Sequence, residues 1–200
     1  MSLIDRLHSH LVHSRRVRVL SDHFAELISQ NSLVLDVGCG DGLVAHWIRQ
    51  KRPDITLQGI DILVREETSI PVEAFNGQEI PYDDKSFDAV MFVDVLHHTT
   101  DPMILLREAA RIARKAVLIK DHTRNGFFAG PTLRLMDWIG NARHDVALPY
   151  NYWTHEQWFE ALATLNVTID VWKGALRLYP PPANWLFERG LHFIARLVLR

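Results

Sequence analysis

The nine residues Val34-Leu35-Asp36-Val37-Gly38-Cys39-Gly40-Asp41-Gly42 constrain this chain more than any other stretch. An apolar, β-branched run from Leu33 to Val37 stops at Gly38, and Leu43 to Arg52 then reads as a helix. Strand, glycine turn and helix in that order place a polar ligand against a helix N-terminus at a sheet edge. Gly38, Gly40 and Gly42 permit positive φ and remove the Cβ atoms that would hold a ligand off the backbone. Asp36, at the strand's end, is placed to accept a hydrogen bond from a cationic ligand group or to fix the loop. A dinucleotide-binding loop needs its third glycine where this chain has Leu43, and a P-loop needs a Gly-Lys-Ser/Thr that does not follow.

The chain around this stretch alternates strands and helices. Thr56 to Asp61 reads as a second strand ending in a second acid, at about the spacing where nucleotide-binding folds place a ribose-binding carboxylate. One carboxylate accepts from two neighbouring hydroxyls at once. After a short crossover, in which Glu66-Glu67-Thr68 makes at most a stunted helix, Val72 to Phe75 is the third strand. Phe87 to Asp94 is nearly continuously apolar, as in sheets covered on both faces. Asp101 as N-cap and Pro102 at the first helical position open a helix to Arg114, and Ala116 to Lys120 is the fifth strand.

Residues 1–30 carry a helical apolar period, and the basic cluster Ser14-Arg15-Arg16-Val17-Arg18 reads as a solvated face. A helix is expected over 131–139, broken by Gly140-Asn141-Ala142-Arg143-His144, and Thr154 with Gln157 forms a capping box for a helix to about Leu165. Val167 to Trp172 and Leu176 to Tyr179 read as closing strands. Asn184 to Arg200 reads as a helix with Glu188, His192, Arg196 and Arg200 on one polar stripe. Packing on the sheet is its favoured role, ahead of a dimer contact or attachment to a membrane surface.

With the motifs in place, residues 30–120 resemble the class I S-adenosylmethionine-dependent methyltransferases. The resemblance rests on Asp-Val-Gly-Cys-Gly-Asp-Gly, Gly-Ile-Asp, Ile-Pro-Tyr-x-Asp-x-Ser-Phe-Asp-Ala-Val and Val-Leu-His-His, in family order. It is similar to the type 11 branch that includes ubiquinone and menaquinone biosynthesis enzymes. The resemblance implies a Rossmann-like α/β fold with a mostly parallel seven-stranded sheet and helices on both faces. It also implies S-adenosyl-L-methionine as cofactor, bound by Asp36, Gly38, Cys39, Gly40, Gly42, Asp61, Ile62, Asn76, Gly77 and Asp94. Asn76 stands where family members commonly use an acid toward adenine, and its carbonyl remains an acceptor.

The implied activity is methyl transfer to a small-molecule hydroxyl or carbon. His97 matches the base of the Val-Leu-His-Asp-Trp segment in plant-type O-methyltransferases, with His122 and Asp121 as second candidates and His98 expected to point elsewhere. Residues 121–165 are the expected substrate cap within a single domain, with Trp138, Tyr150, Tyr152 and Trp153 as apolar walls. Two hundred residues with 48% apolar content suit one domain. The alternatives are a nucleic-acid or protein methyltransferase, or a non-catalytic protein that binds the same cofactor. A net charge of −2 offers no basic field, so no nucleic-acid partner is expected. The Asn/Asp-Pro-Pro-Tyr/Phe signature of amino-methylating enzymes is also absent. Cys39 is the only cysteine, which fits a reducing, cytoplasmic setting, and the N-terminus does not read as a signal peptide. No metal site is expected, since His8, His10 and His13 lack companion ligands.

Overall fold

The computed structural model describes residues 3–141 and 149–200. Seven strands form one sheet: β1 (Leu33–Val37), β2 (Thr56–Asp61), β3 (Val72–Ala74), β4 (Phe87–Val93), β5 (Ala113–His122), β6 (Val167–Lys173) and β7 (His192–Leu199). Their order is β3-β2-β1-β4-β5-β7-β6. The first five run parallel, and β7 lies antiparallel between β5 and β6.

Alternate residues of the central strands feed two separate cores. Val34, Met91 and Leu118 face α1 (Leu3–Leu27) and α2 (Leu43–Lys51), where they meet Leu20, Phe24 and Ile48. Leu35, Val90, Phe92 and Ile119 face the other way, against Leu105, Leu106 and Ala109 of α3 (Pro102–Ile112) and Trp158 of α5 (His155–Ala163). Each fully buried Leu, Ile or Phe contributes roughly 1.5–3 kcal/mol, so apolar runs with no polar face are what a doubly covered sheet requires. Local chemistry sets the helix starts. Asp101 accepts from the Met103 N–H at 2.9 Å, and Thr154 and Gln157 form the reciprocal capping box.

Three expectations are corrected. Residues 192–199 are a strand and not the end of a helix; only α6 (Ala183–Phe187) is helical there, so no long C-terminal helix is present to dock anywhere. Leu176 to Tyr179 is irregular chain, not a strand. The basic cluster is a solvated face only in part: Ser14 and Arg18 are exposed, but Arg16 reaches across the fold to Asp94. The helix expected over 131–139 is α4 (Ala129–Asn141), and the rest of the expected break, 142–148, lies outside the described residues. Among the described residues no helix is long and apolar enough to cross a membrane.

Candidate functional site

The glycine loop between β1 and α2 is pinned to the neighbouring strand. The Gly38 and Cys39 N–H groups both donate to the Ile60 carbonyl, at 2.8 and 3.3 Å. Gly38 has φ +70°, and a Cβ there would stand 2.7 Å from a Val95 methyl. Gly42, the N-cap of α2, is also left-handed, and a Cβ on it would meet Ile70 at 2.4 Å. Gly40 lies beneath the Arg65 guanidinium. Cys39 turns its sulfur toward Gly59. Burial, then the charges of Asp36 and Asp61, push its thiol up, so it is no nucleophile.

The two strand-end acids differ in state. Asp36 is buried, and its Oδ1 has no hydrogen-bond partner. Burial first, and Asp61 second, push its carboxyl up to about 8. Asp61 accepts from the Gly40 N–H at 2.8 Å and the Leu63 N–H at 2.9 Å, which joins the glycine loop to the end of β2. Ile62 and Gly77 face each other, since a Cβ at 77 would lie 3.1 Å from the Ile62 Cγ2. Asn76 is a correction. Its Oδ1 already accepts from Gln78 and Glu79 at 2.9 and 2.8 Å, so that oxygen serves the loop.

These residues fit the implied cofactor. An orphaned buried carboxylate oxygen calls for a cation, and an ammonium supplies one. The glycine cradle leaves room for the group attached to it, and a carboxylate on the next strand end suits hydroxyls.

A second polar cluster lies at the ends of β4 and β5. Asp94 sits at φ +59° just past β4. It takes ion pairs from Arg16 of α1 and Lys120 of β5, and the His122 Nε2 lies 3.3 Å away. Burial alone would raise the Asp94 carboxyl, but Arg16 and Lys120 hold it well below the usual range. Asp94 is thus an ion-pair hub at the loop's far side. Lys120 is fully buried, and burial lowers its ammonium to about 8 against the pull of Asp94.

His97 lies in the 3-10 turn Leu96–His98 and is buried. Its Nδ1 meets the Asp121 carboxylate at 2.6 Å, and its Nε2 lies 3.4 Å from Asp137 of α4. Burial would lower its pKa, but the charge and hydrogen bond of Asp121, followed by Asp137, raise it to about 10. Both carboxylates thus favour the protonated ring over the free base expected from the sequence. His98 is the neutral ring, kept so by burial and the adjacent His97 charge. The two ring centroids are 4.0 Å apart, so His98 does not point elsewhere. The His98 Nδ1 is buried without a hydrogen-bond partner. His122 is also held neutral, by burial and then Lys120.

His97, His98 and Asp137 present ligand atoms within 4.8 Å of one another, a set able to hold an ion. The described side chains also balance without one. Arg16, Lys120 and the His97 imidazolium stand against Asp94, Asp121 and Asp137. Asp121 further accepts from the Leu96 N–H at 3.0 Å, which fixes the turn that carries His97.

Sequence reasoning missed Asp137, Arg16 and the role of Tyr152. Tyr152 donates its hydroxyl to Asp137 and stacks on His97 at 5.4 Å between centroids. The one available signal was phase: Thr132, Leu133 and Asp137 lie on one side of α4, and all three are buried. Trp138, expected as a pocket wall, is exposed instead. Trp153 packs against Trp158 in the core beside the sheet.

Residues 35–119 match the family model of the methyltransferase domain. The 27-O-demethylrifamycin SV methyltransferase of Amycolatopsis mediterranei is 33% identical over 94 residues, covering 40% of this chain and 34% of the relative. A ubiquinone biosynthesis O-methyltransferase of Rickettsia bellii is 23% identical over 162 residues, covering 70% of this chain and 63% of the relative. The chain thus spans about a third to two thirds of the length of these curated relatives. A solved S-adenosylmethionine-dependent methyltransferase from Thermotoga maritima superposes with a TM-score of 0.69 at 16% identity, over 99% of this chain and 96% of that one, and shows the same fold.

Proposed function

From the match of residues 35–119 to the methyltransferase-domain family, we propose that this chain transfers a methyl group from S-adenosylmethionine to a hydroxyl of a small molecule. The observation that carries the reading is the buried, unpartnered Asp36 oxygen beside the glycine cradle. Asp36 holds the ammonium, the Gly38–Gly42 loop lies under the amino-acid portion, Asp61 takes the ribose hydroxyls, and Ile62 with Gly77 flanks the adenine. Asp94 keeps Arg16 and Lys120 in place beside that pocket.

When bound, the cofactor supplies an electrophilic methyl and a neutral thioether leaving group. The protein's part is to hold the acceptor oxygen in line and to take up its proton. Of residues 121–165, α4 and Tyr152 form the acceptor cap in this reading, because they lie against His97 and His122 at the ends of β4 and β5, while α5 packs in the core. His98 takes the proton, as the neutral imidazole with an unpartnered nitrogen on this rim. His97 is a positioning residue. Its charge keeps His98 neutral, and Asp121 and Asp137 fix its ring.

Calorimetry with S-adenosylhomocysteine, followed by turnover on a panel of phenols, enols and aliphatic alcohols, tests the proposal. His98→Ala is expected to lower kcat by roughly 10²–10⁴-fold with unchanged cofactor affinity. Absence of binding heat on folded protein would reject the cofactor. Unchanged turnover in His98→Ala would reject the base.

A further inference from the structure

Helix α4 buries Ala129 and Leu133 yet leaves a second apolar face turned outward. Its inward side carries Thr132, Leu133 and Asp137, while Leu135, Trp138 and Ile139 are exposed at 46%, 61% and 59%. The exposed three are spaced by three and four residues, so they form one stripe. Phe127 and Phe128, which lead into α4, are exposed at 83% and 60% and meet edge to face. Helix α6 packs beside α4 and adds Trp185, exposed at 75%, and Leu186.

Large aromatic side chains carry about 150–250 Å² each, so four that are more than half exposed leave several hundred Å² of apolar surface. That reaches the size at which an exposed patch on a soluble protein marks an interaction site. It is the opposite of what α4's own stability requires, since an amphipathic helix gains by turning such residues inward.

The charge around the patch chooses the occupant. Arg124, Arg134 and Arg189 are exposed on these segments. Arg189 bridges the two helices, donating to the Thr132 Oγ1 at 3.0 Å and the Leu186 carbonyl at 3.0 Å. The acids of the described residues in 123–141 and 180–190 are turned inward. Asp137 is buried, and Glu188 accepts from the Leu178 and Tyr179 N–H groups. An apolar, tryptophan-bearing face with an arginine fringe complements an anionic lipid surface. Pairing with a second copy would instead bring the two arginine fringes together.

The geometry points to α4 and α6 as a membrane-docking face that seats this protein on anionic bilayers. The inference rests on exposure and charge and stands apart from the methyl-transfer reading. Docking places the cap, whose inner side carries Asp137 and Tyr152, against the lipid.

Co-sedimentation of the full chain with large vesicles tests it, using phosphatidylcholine alone and phosphatidylcholine mixed with an equal part of phosphatidylserine. The protein is expected to pellet with the anionic vesicles and to stay in solution with the neutral ones. Trp138→Ser with Trp185→Ser should lower the partition coefficient by more than about tenfold, since two interfacial rings are lost. Arg124→Gln and Arg134→Gln should each lower it about fivefold, and added salt should mimic them. Thermal melting of the variants should match the parent, because the altered side chains are exposed. No pelleting with anionic vesicles overturns the inference, as does pelleting that the double Trp variant retains. A concentration-dependent dimer by sedimentation velocity that the same Trp variant abolishes also overturns it, and assigns the face to a second copy.

Discussion

If Asp36 receives an ammonium group, cofactor binding must be linked to a proton. The free protein holds this carboxyl buried and protonated to about pH 8, four units above its ordinary 3.8. A cationic ligand pairs with the ionised form, so binding below pH 8 expels the proton. Between about pH 6 and about pH 7.5 the ionised fraction of such a group climbs roughly 25-fold, and the dissociation constant should fall by that factor. S-adenosylhomocysteine is the ligand to titrate, and the range stops near 7.5 because an α-amino group itself titrates at about 7.7–8.0. Methylthioadenosine, which lacks the amino-acid portion, should bind with no such slope. Asp36→Asn should abolish the slope and weaken S-adenosylhomocysteine by roughly 1.5–3 kcal/mol at pH 7.5, as expected for a lost charged hydrogen bond.

The same proton sets a stability term of opposite sense. The folded chain keeps a proton that the unfolded chain loses above 3.8, so stability falls as pH rises from about 4 to 8 and levels off above that. The ceiling is on the order of 5 kcal/mol at about 1.4 kcal/mol per unit, and Asp36→Asn should flatten this part of the denaturation profile. Calorimetry across the pH series, with urea melts of the ligand-free protein, reads both. A pH-independent affinity in the wild type, or an unchanged slope in Asp36→Asn, refutes the assignment.

Three further outcomes are expected. His97→Ala leaves Asp121 and Asp137 buried around a missing cation, and we predict a loss of roughly 3–5 kcal/mol in urea unfolding, where a dispensable surface base would lose almost nothing. Asp94→Asn strands Arg16 and Lys120 and should cost a similar roughly 3–5 kcal/mol, and a loss under 1 kcal/mol would show the hub to be solvated. Gly38→Ala should cost about 1–3 kcal/mol and impair cofactor binding, and adding Val95→Ala should restore part of that by removing the clash while leaving the cost of positive φ. A double variant no better than the single would place the whole penalty in the backbone.

The β1-loop-α2 unit, β2, β4 and α3 were legible because their signals are local. An apolar run with glycines after it, or an Asp-Pro cap before a periodic stretch, needs no distant partner to be read. β7 was not legible for a physical reason. Phe193, Ala195 and Leu197 feed one core, and Ile194 feeds the other although His192 and Arg196 share its face, so apolar residues fall on both sides of the strand. A run apolar on both sides fits a helix as well as a strand, and the spacing of Glu188, His192 and Arg196 tipped it toward helix. Only the slot between β5 and β6 decides it. The glycine loop and its two strand-end acids were readable from the motif, whereas the bonds that tie the Asn76 carbonyl to the adjacent loop were not. The charge cluster was not, since Arg16 and Asp94 lie 78 residues apart. His97 carried the right chemistry for a base, but two aspartates reached through the fold favour its protonated form.

The place of β7 also governs how the chain must mature as it is made. Among the described residues β6 pairs only with β7, and β5 shows an open flank until β7 fills it. A ribosome releasing this chain therefore presents the apolar edge of β5, Ala116 to His122, before the residues that seal it have left the exit tunnel. Such an edge is a template for foreign strands. Closure waits for residues 192–199, and with them arrives His192, whose Nδ1 sits 3.3 Å from the Lys120 ammonium. Among the described strands, the last in sequence is thus the one that both seals the sheet and shuts water away from Lys120, so that flank of β5 is the last to close.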